Sequence, residues 1–152
     1  MEALASTLIT IAVGTWVGAI IFQSAVVAPA AFANLDSDAA RRFLRALFPR
    51  FYRLGLVCGG LTLLGIAMAA AAMGWSGRLT TLAAAASGML ALEIVSLRLV
   101  PLINAARDAG AAGAARFERL HRFSVALTVI ILIVGVVLLS MIGAGTTMAS
   151  GG

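Results

Sequence analysis

Residues that build metal, haem and disulfide sites are scarce in this sequence. Its 152 residues include one histidine, His121, and one cysteine, Cys58, so no internal disulfide can form and no redox compartment is indicated. One histidine cannot supply both axial ligands of a bis-histidine haem within a single chain. Zinc normally takes three or four protein ligands, a number reached only if Glu93 joins Cys58 and His121. The six methionines lack a paired motif, which disfavours a copper relay. The cofactor therefore stays open between none, haem and copper.

Patterns that carry enzyme chemistry are also missing from the sequence. No nucleophile, histidine and acid stand in a triad-like pattern. Gly14 and Gly18 do not form a phosphate-binding loop, because no strand or lysine accompanies them. We therefore predict no catalytic residues.

Charged residues make up only 11% of the chain, whereas 62% of it is hydrophobic. Soluble domains are about a quarter charged and half apolar, so this composition indicates an integral membrane protein. The net charge of +5 does not indicate nucleic-acid binding, because ten of the eleven arginines flank or lie between apolar spans. Arginines in such positions set membrane orientation and meet anionic lipid headgroups, so the lipid bilayer is the expected partner.

Four segments are long enough to cross the hydrocarbon core, which takes about 20 apolar residues. We predict an all-α, polytopic membrane protein whose four transmembrane helices form an antiparallel bundle, with a single domain over 1–142 and a flexible tail over 143–152. No basic residue precedes the first span, which argues against a cleaved signal peptide. The predicted spans are 4–28, 51–73, 79–100 and 123–142.

Arginines are concentrated on one side of the predicted membrane. The opposite side carries Arg78 alone, so the positive-inside rule places both termini outside the cytoplasm, in a bacterial-type inner membrane. The cytoplasmic arginines are Arg41, Arg42, Arg45, Arg50 and Arg53 in the first connection, and Arg98, Arg107, Arg116, Arg119 and Arg122 in the third.

The first connection predicts a short amphipathic helix that lies in the membrane interface between spans one and two. Asp36 or Ser37 is a typical helix cap, and Pro49 marks a break or restart. One arc of the helix carries Arg41, Arg42 and Arg45, and the other presents Phe43, Leu47 and Phe48 to the acyl chains. The second connection, GWSGR, predicts a tight turn, and the third starts as a flexible alanine-glycine segment.

Small residues at a spacing of four mark helix interfaces in membranes. The pairs Gly14 and Gly18 in span one, and Gly55 and Gly59 in span two, have this spacing, and Gly135 lies in span four. Internal packing and a homo-oligomer interface both explain these glycines.

Glu93 is a carboxylic acid inside span three, about 9 Å from its cytoplasmic end. Arg98 points away from it on the helical wheel, whereas Ser96 shares its face. An uncompensated charge in lipid costs several kcal/mol, so Glu93 should face the protein interior and share its proton or charge. Candidate partners at similar depth are Gln23 in span one, Arg53 and Cys58 in span two, and His121, Ser124 and Thr128 in span four, with His121 pointing inward.

This polar set has two interpretations. It forms a polar cavity in the cytoplasmic third of the bundle that binds a small cation or polar solute at Glu93 and His121. Alternatively, Glu93 pairs with His121, Arg53 or Gln23 and only holds the helices together.

Four stretches carry a family resemblance: GTWVGAIIFQSAVVAPAAF, LFPRFYRLGLVCGG, RLVPLINAARD and RFERLHRFS. Across roughly residues 8–135 the chain resembles the small membrane proteins named after transmembrane protein 205. Its most specific features are Phe48–Pro49 with Tyr52, the proline Pro101, and the sequence that runs through Phe117, His121 and Ser124. The resemblance implies a four-helix membrane protein of undefined activity. More distantly, the chain is similar to the copper-resistance-D-like superfamily, which includes haem-linked membrane proteins.

Three functional hypotheses follow. The first is a small-solute or cation binding and transport module that works as a homo-oligomer. The second is an accessory subunit of a larger membrane complex. The third is a haem- or quinone-linked redox component, which requires an axial ligand from another chain or five-coordinate haem on His121.

Overall fold

The computed structural model describes residues 1–149, with side chains up to residue 144, and this part of the chain is helical apart from short links. The predicted all-α class is confirmed. The last helix continues past the predicted span end at 142, and positions 150–152 of the predicted tail lie outside the described residues. The elements are α1 (Glu2–Phe22), a π-helical segment (Gln23–Val27), α2 (Ala28–Asn34), α3 (Ser37–Met73), α4 (Gly77–Asp108), a 3-10 turn (Gly110–Gly113) and α5 (Ala114–Ala149).

The length and composition of four helical stretches would allow each to cross a membrane. The first combines α1, the π-helical segment and α2, the second and third are α3 and α4, and the fourth combines the 3-10 turn with α5 as far as Ala144. Each stretch contains one of the four predicted spans and extends beyond it at both ends, except that α3 and the second span both end at residue 73. These extensions form much of the site described below.

The start of α3 confirms one prediction about the first connection and corrects another. Asp36 caps the helix, because its Oδ1 accepts hydrogen bonds from the backbone N–H groups of Asp38 (3.0 Å) and Ala39 (2.8 Å). The predicted break at Pro49 is wrong, since α3 runs through it without interruption. Proline in a helix costs one backbone hydrogen bond and a steric clash, but Leu44 and Tyr52 are buried on either side of it and hold the flanking turns in place.

The predicted amphipathic helix is therefore not a separate element but the first turns of α3. Its arginines are exposed, as expected, and Phe43 is 43% exposed. Leu47 and Phe48 are half-buried. The inward face of this segment is formed instead by Ala40 and Leu44, which are buried.

Two links reverse the chain. Gly74 adopts a positive φ of 81°, which favours glycine, and Ser76 then caps α4 by accepting the N–H of Leu79 at 3.3 Å. The tight turn predicted from GWSGR is thus present. The predicted flexible segment after α4 is instead the 3-10 turn, where a side chain at Gly113 would overlap the carbonyl oxygen of Ala106.

The long helices contact one another in a closed order. α1 packs on α3, α3 on α4, α4 on α5, and α5 on α1. The largest side chains buried between them are Trp16, Ile20, Ile66, Met89, Ile131 and Leu138. Contacts between α3 and α4 run in opposite order along the two helices, because Arg45 meets Asp108, Gly55 meets Glu93, and Met73 is followed by the link to Gly77.

The glycines predicted to mark packing faces fall into two classes. A methyl group at Gly59 would come within 2.6 Å of Leu90 Cδ1, and one at Gly135 within 2.6 Å of Val17 Cγ2. Gly55 is equally confined, as described below. In contrast, a methyl group at Gly14 or Gly18 would meet nothing within 4 Å, so this pair does not serve internal packing.

Candidate functional site

The polar residues of the four helices separate into two places, a small buried cluster around Glu93 and a larger cavity at the arginine-rich end. Glu93 is 1% exposed and Ser96, one turn further along α4, is fully buried. Both lie on the inward face of α4 with Ala86 and Met89, as the helical period predicts. The carboxyl group is therefore removed from lipid and water, in agreement with its predicted inward orientation.

Gly55 of α3 provides the space for the Glu93 carboxyl. A Cβ atom at this position would overlap Glu93 Oε1, lie 2.5 Å from Glu93 Cδ and 2.8 Å from Trp16 Nε1. The carboxyl of α4 and the indole N–H of α1 thus converge on the bare backbone of α3. With the carboxyl in this position only glycine fits, because a side chain at position 55 would force the Glu93 carboxyl to move.

Three polar atoms of this cluster have no hydrogen-bond partner within the described residues: Trp16 Nε1, Glu93 Oε1 and Ser96 Oγ. Buried polar atoms without partners are unusual and costly, since each has lost its hydration. The Trp16 N–H and the Glu93 carboxyl interact with each other, but the cluster still holds polar groups without well-formed hydrogen bonds deep in the fold. Tyr52 lies within electrostatic range of Glu93 and connects this cluster to the cavity.

The cavity has a volume of about 880 Å3, which falls within the usual range of small-molecule sites. It lies between the π-helical segment and α2 on one side, and the start of α3, the end of α4 and the start of α5 on the others. Much of its wall is apolar, including Leu44, Phe48, Phe51, Ile103, Val125 and Val129.

A few polar groups interrupt this apolar wall. Tyr52 and Ser124 share a hydrogen bond of 3.2 Å that joins α3 to α5 across the fold. The Thr128 hydroxyl donates to the Ser124 carbonyl of its own helix at 3.0 Å. The side-chain amides of Gln23 and Asn104 also line the cavity, and no hydrogen bond joins them to another described residue.

Gln23 reaches the cavity at the point where α1 widens into a π-helix. In this segment the Ala28 N–H donates to the Gln23 carbonyl, five residues back, and Pro29 follows without an N–H of its own. Such π-helical turns are often found at functional sites. Here the widened turn coincides with the only polar side chain that is buried in this part of the first stretch, which is 7% exposed.

Arginines and one histidine form the rim of the cavity. Arg45 makes a bidentate ion pair with Asp108, with bonds of 3.0 and 2.5 Å. Arg107 instead stacks over the Phe117 ring at 4.4 Å and forms no ion pair within the described residues. His121 stacks on the same Phe117 ring, with centroids 5.6 Å apart and an interplanar angle of 5°.

Positive charge predominates on this rim. Burial lowers the pKa of Arg107, and the nearby guanidinium groups of Arg41 and Arg45 lower it further. Arg41 has only the exposed Asp38 as a partner, at 3.9 Å. Asp108 is occupied by Arg45, whose hydrogen bonds lower the pKa of that carboxyl. Arg107 therefore lies near two other guanidinium groups and has no carboxylate partner of its own within the described residues.

Comparison with protein families places this arrangement in a family described as a domain of unknown function, DUF4149, whose model matches residues 11–112. The match covers most of the chain. The chain belongs to the DUF4149 family. Comparison with curated proteins and with solved structures finds no match.

The matched DUF4149 region contains the whole Glu93 cluster and the cavity walls contributed by the first stretch, α3 and α4. The α5 wall, with His121, Ser124 and Thr128, lies beyond the match. The family assignment therefore covers the arginines of the rim and the buried carboxyl, and it leaves their function open.

The sequence-predicted site residues of this DUF4149 protein do not form one site. Gln23, His121, Ser124 and Thr128 line the cavity, whereas Glu93 and Ser96 belong to the buried cluster. Cys58 is buried and within electrostatic range of Glu93, and its carbonyl accepts the Thr62 hydroxyl at 2.8 Å.

The predicted partnership of Glu93 with Arg53, His121 or Gln23 is not formed in the described part of the structure. Arg53 is exposed, because the neighbouring Tyr52 and Gly55 occupy the inward face of α3 and turn position 53 away. His121 was expected to point away from water, but it is exposed at the rim of the cavity. The helical wheel placed His121 on the side of α5 that lines the cavity. It did not show that residue 121 lies so near the start of α5 that its side chain is exposed.

Several residues of the site do not stand out in the sequence. Trp16, Asn104 and Arg107 gain their importance from helices that are distant in the chain. Trp16 carries one detectable signal, since an indole N–H inside an apolar span needs a polar partner. Among the described residues no group of three or more His, Cys, Asp or Glu side chains could hold a metal ion.

Proposed function

We propose that this DUF4149 protein is a membrane-embedded module that binds, and in an assembly transports, a small solute in the 880 Å3 cavity. The observation that carries the proposal is the combination of a largely apolar wall with a few polar groups that form no hydrogen bond within the described residues, namely the amides of Gln23 and Asn104 and the imidazole of His121. Such a combination is typical of ligand sites, because apolar walls provide binding free energy and isolated polar groups provide orientation.

The membrane arrangement belongs to the same proposal. The four long helices form an antiparallel bundle in a bacterial-type inner membrane, with the arginine-rich end and its cavity on the cytoplasmic side and both termini outside. The resemblance to the small membrane proteins named after transmembrane protein 205 supports this arrangement. A tag at the C-terminus should then be accessible only from the outer side.

The positive charge of the rim limits which class of solute the cavity can bind. A cation at His121 would lie among Arg41, Arg45 and Arg107, with Asp108 already paired. The buried Glu93 carboxyl does not line the cavity, so it does not contact a cation bound there. Of the solutes expected from the sequence, the polar one is therefore favoured over the cation.

The test is native mass spectrometry of the protein extracted gently from its own membranes, comparing wild type with Thr128→Phe. The larger side chain fills part of the cavity and removes a hydroxyl that bonds its own helix and interacts with Tyr52. Thr81→Phe is the matched control, because the Thr81 hydroxyl likewise bonds its own helix, to Gly77 at 3.1 Å, and the residue is exposed away from the cavity.

We expect a reproducible additional mass on wild type and Thr81→Phe that is reduced at least tenfold in occupancy on Thr128→Phe. An equal additional mass on all three proteins, or none on any, would reject the cavity as a binding site.

A second candidate function is that of an accessory subunit, and the open face of α1 favours it. A methyl group at Gly14 or Gly18 would meet nothing within 4 Å among the described residues, and glycines at this spacing let two membrane helices approach closely. The same mass spectra test this candidate, since it requires co-extraction of a larger subunit, whereas a solute-binding homo-oligomer shows multiples of this chain alone.

A further inference from the structure

We propose that the solute of this cavity is an anionic amphiphile from the bilayer, with a negatively charged headgroup at the arginine rim and an apolar chain along the inner wall. This inference rests on the proposed function, because it names the class of ligand for the same cavity. Three features of the site lead to it: the charge of the rim, the composition of the wall and a lateral opening.

The positive charge of the rim favours an anionic group on the ligand. Arg107 has no carboxylate partner among the described residues and is held in place by the Phe117 ring at 4.4 Å. Arg41 has a single weak partner at 3.9 Å, in a pair whose side chains are 57% and 78% exposed. Guanidinium groups recognise carboxylate and phosphate oxygens through paired N–H donors, so two cations of the rim are available to one headgroup.

The apolar wall below the rim favours a ligand with an apolar portion. Leu44, Phe48 and Phe51 of α3 and Val125 and Val129 of α5 all line the cavity. A small inorganic anion would satisfy the arginines but leave this wall without contacts. A ligand that combines a charged head with an aliphatic chain would use both parts of the site.

The cavity also opens sideways towards the acyl chains. Phe32 of α2 is 62% exposed, and Val125 and Val129 of α5 are 48% and 47% exposed, although all three line the cavity. The backbone of α2 lies close to α3 and the π-helical segment, and it does not come close to that of α5 in the described structure. The gap between α2 and α5 therefore connects the cavity with the lipid region, which provides a route for an amphiphile that never enters water.

The first experiment measures separately how much the charged headgroup and the aliphatic chain of the ligand contribute to binding. Delipidated protein in a neutral detergent is titrated with oleate, with oleyl alcohol and with inorganic phosphate, and bound ligand is counted by native mass spectrometry. We expect one oleate per chain, with affinity at least tenfold higher than that for either the uncharged alcohol or the chainless anion. Equal binding of oleate and oleyl alcohol would overturn the role of the charge.

Variants that remove single arginine charges test whether the rim binds the anionic headgroup. A hydrogen bond to a charged group contributes about 1.5–3 kcal/mol, so Arg107→Gln should weaken oleate binding about tenfold or more. Arg107→Lys keeps the charge and should retain most of the affinity. Arg98→Gln is the matched control, since Arg98 is an exposed arginine of the same helix that does not line the cavity. Equal loss in Arg98→Gln and Arg107→Gln would contradict the proposed site.

A second pair of variants tests the lateral opening. Val129→Trp narrows the gap between α2 and α5, whereas Val136→Trp adds the same group two turns further along α5, where the residue is 46% exposed and does not line the cavity. In nanodiscs that contain phosphatidylglycerol or phosphatidylcholine, we expect wild type and Val136→Trp to retain the anionic lipid selectively, and Val129→Trp to lose it. Retention of phosphatidylglycerol by Val129→Trp would overturn the lateral route.

The outcomes also separate this inference from the proposed function. If Thr128→Phe displaces a reproducible mass that is neutral or chainless, the cavity binds a solute but not an anionic amphiphile. If no variant of the cavity changes any retained mass, both proposals fail. Oleate and phosphatidylglycerol carry the same anionic-head chemistry, and their relative affinities identify whether the source is a free fatty acid or a phospholipid.

Discussion

Replacement of Gly55 by alanine is the most direct test of the buried Glu93 cluster. The added methyl carbon would overlap Glu93 Oε1, lie 2.5 Å from Glu93 Cδ and 2.8 Å from Trp16 Nε1. Both side chains belong to other helices, and both are buried, with 1% of each exposed. The carboxyl therefore has to move within a closed environment, or the backbones of α3 and α4 have to separate.

The expected loss follows from two opposing contributions. Alanine is favoured over glycine in a helix interior by about 0.5–1 kcal/mol. Inserting a methyl group into a well-packed site costs about 1–3 kcal/mol. Gly60→Ala in the same helix measures the first contribution alone, because a methyl group there would meet nothing within 4 Å. The free energy of unfolding of Gly55→Ala should therefore be about 1–3 kcal/mol below that of Gly60→Ala.

The assay is unfolding in mixed micelles with a rising mole fraction of sodium dodecyl sulfate, followed by circular dichroism. A double-mutant cycle identifies the atoms involved, since Glu93→Ala removes the carboxyl that the new methyl group would strike. We expect Gly55→Ala to be less destabilising in the Glu93→Ala background than in wild type, with a coupling of about 1 kcal/mol or more.

Equal unfolding midpoints for Gly55→Ala and Gly60→Ala would refute this reasoning. So would additive effects of Gly55→Ala and Glu93→Ala, because independent contributions would mean that the two positions do not touch. Either result would place the Glu93 carboxyl elsewhere than against the backbone of α3.

Two further predictions concern the arginine-rich end. Asp36→Ala removes the side-chain acceptor for two backbone N–H groups at the start of α3, so it should lower the melting temperature in detergent by a few degrees, while Asp36→Asn should keep most of the cap. The hydrogen bonds from Arg45 lower the pKa of Asp108 from its ordinary value of 3.8, so this ion pair stabilises the folded state above that value and its contribution is lost as pH falls through the lowered pKa. The stability difference between wild type and Asp108→Asn should therefore be constant from neutral pH to about 5 and shrink below about 4, and a difference that grows on acidification would contradict the assigned pairing.

The four membrane-compatible helices could be predicted from the sequence because their signal is local. Long apolar runs, a capping aspartate at position 36 and the glycine turn after α3 each act within a few residues of the chain. The prediction of a helix break at Pro49 is wrong for the same reason, because it rested on a local signal alone. Its local preference ends helices, but the buried turns that contain Leu44 and Tyr52 override that preference.

The candidate site could be predicted only in part. Helical periodicity identified the inward faces that carry Gln23, Glu93 and Ser124, all of which are buried. It did not separate Glu93 from the cavity, because a helical wheel gives the direction of a side chain and not its neighbours along the axis of another helix. The stacking of Arg107 on Phe117 likewise depends on how the end of α4 meets the start of α5.

The sequence by itself determined that this chain is built from apolar helices, that its arginines gather at one end, and that one carboxyl is held away from water. These properties follow from composition and period, which each helix carries alone. Only the tertiary structure decided that Gly55 receives the Glu93 carboxyl, that Gly14 and Gly18 remain open, and that a cavity forms beneath the arginines. The reason is physical: close approach, enclosed volume and unpaired charge are properties of surfaces from different helices, and they exist only once those helices have packed.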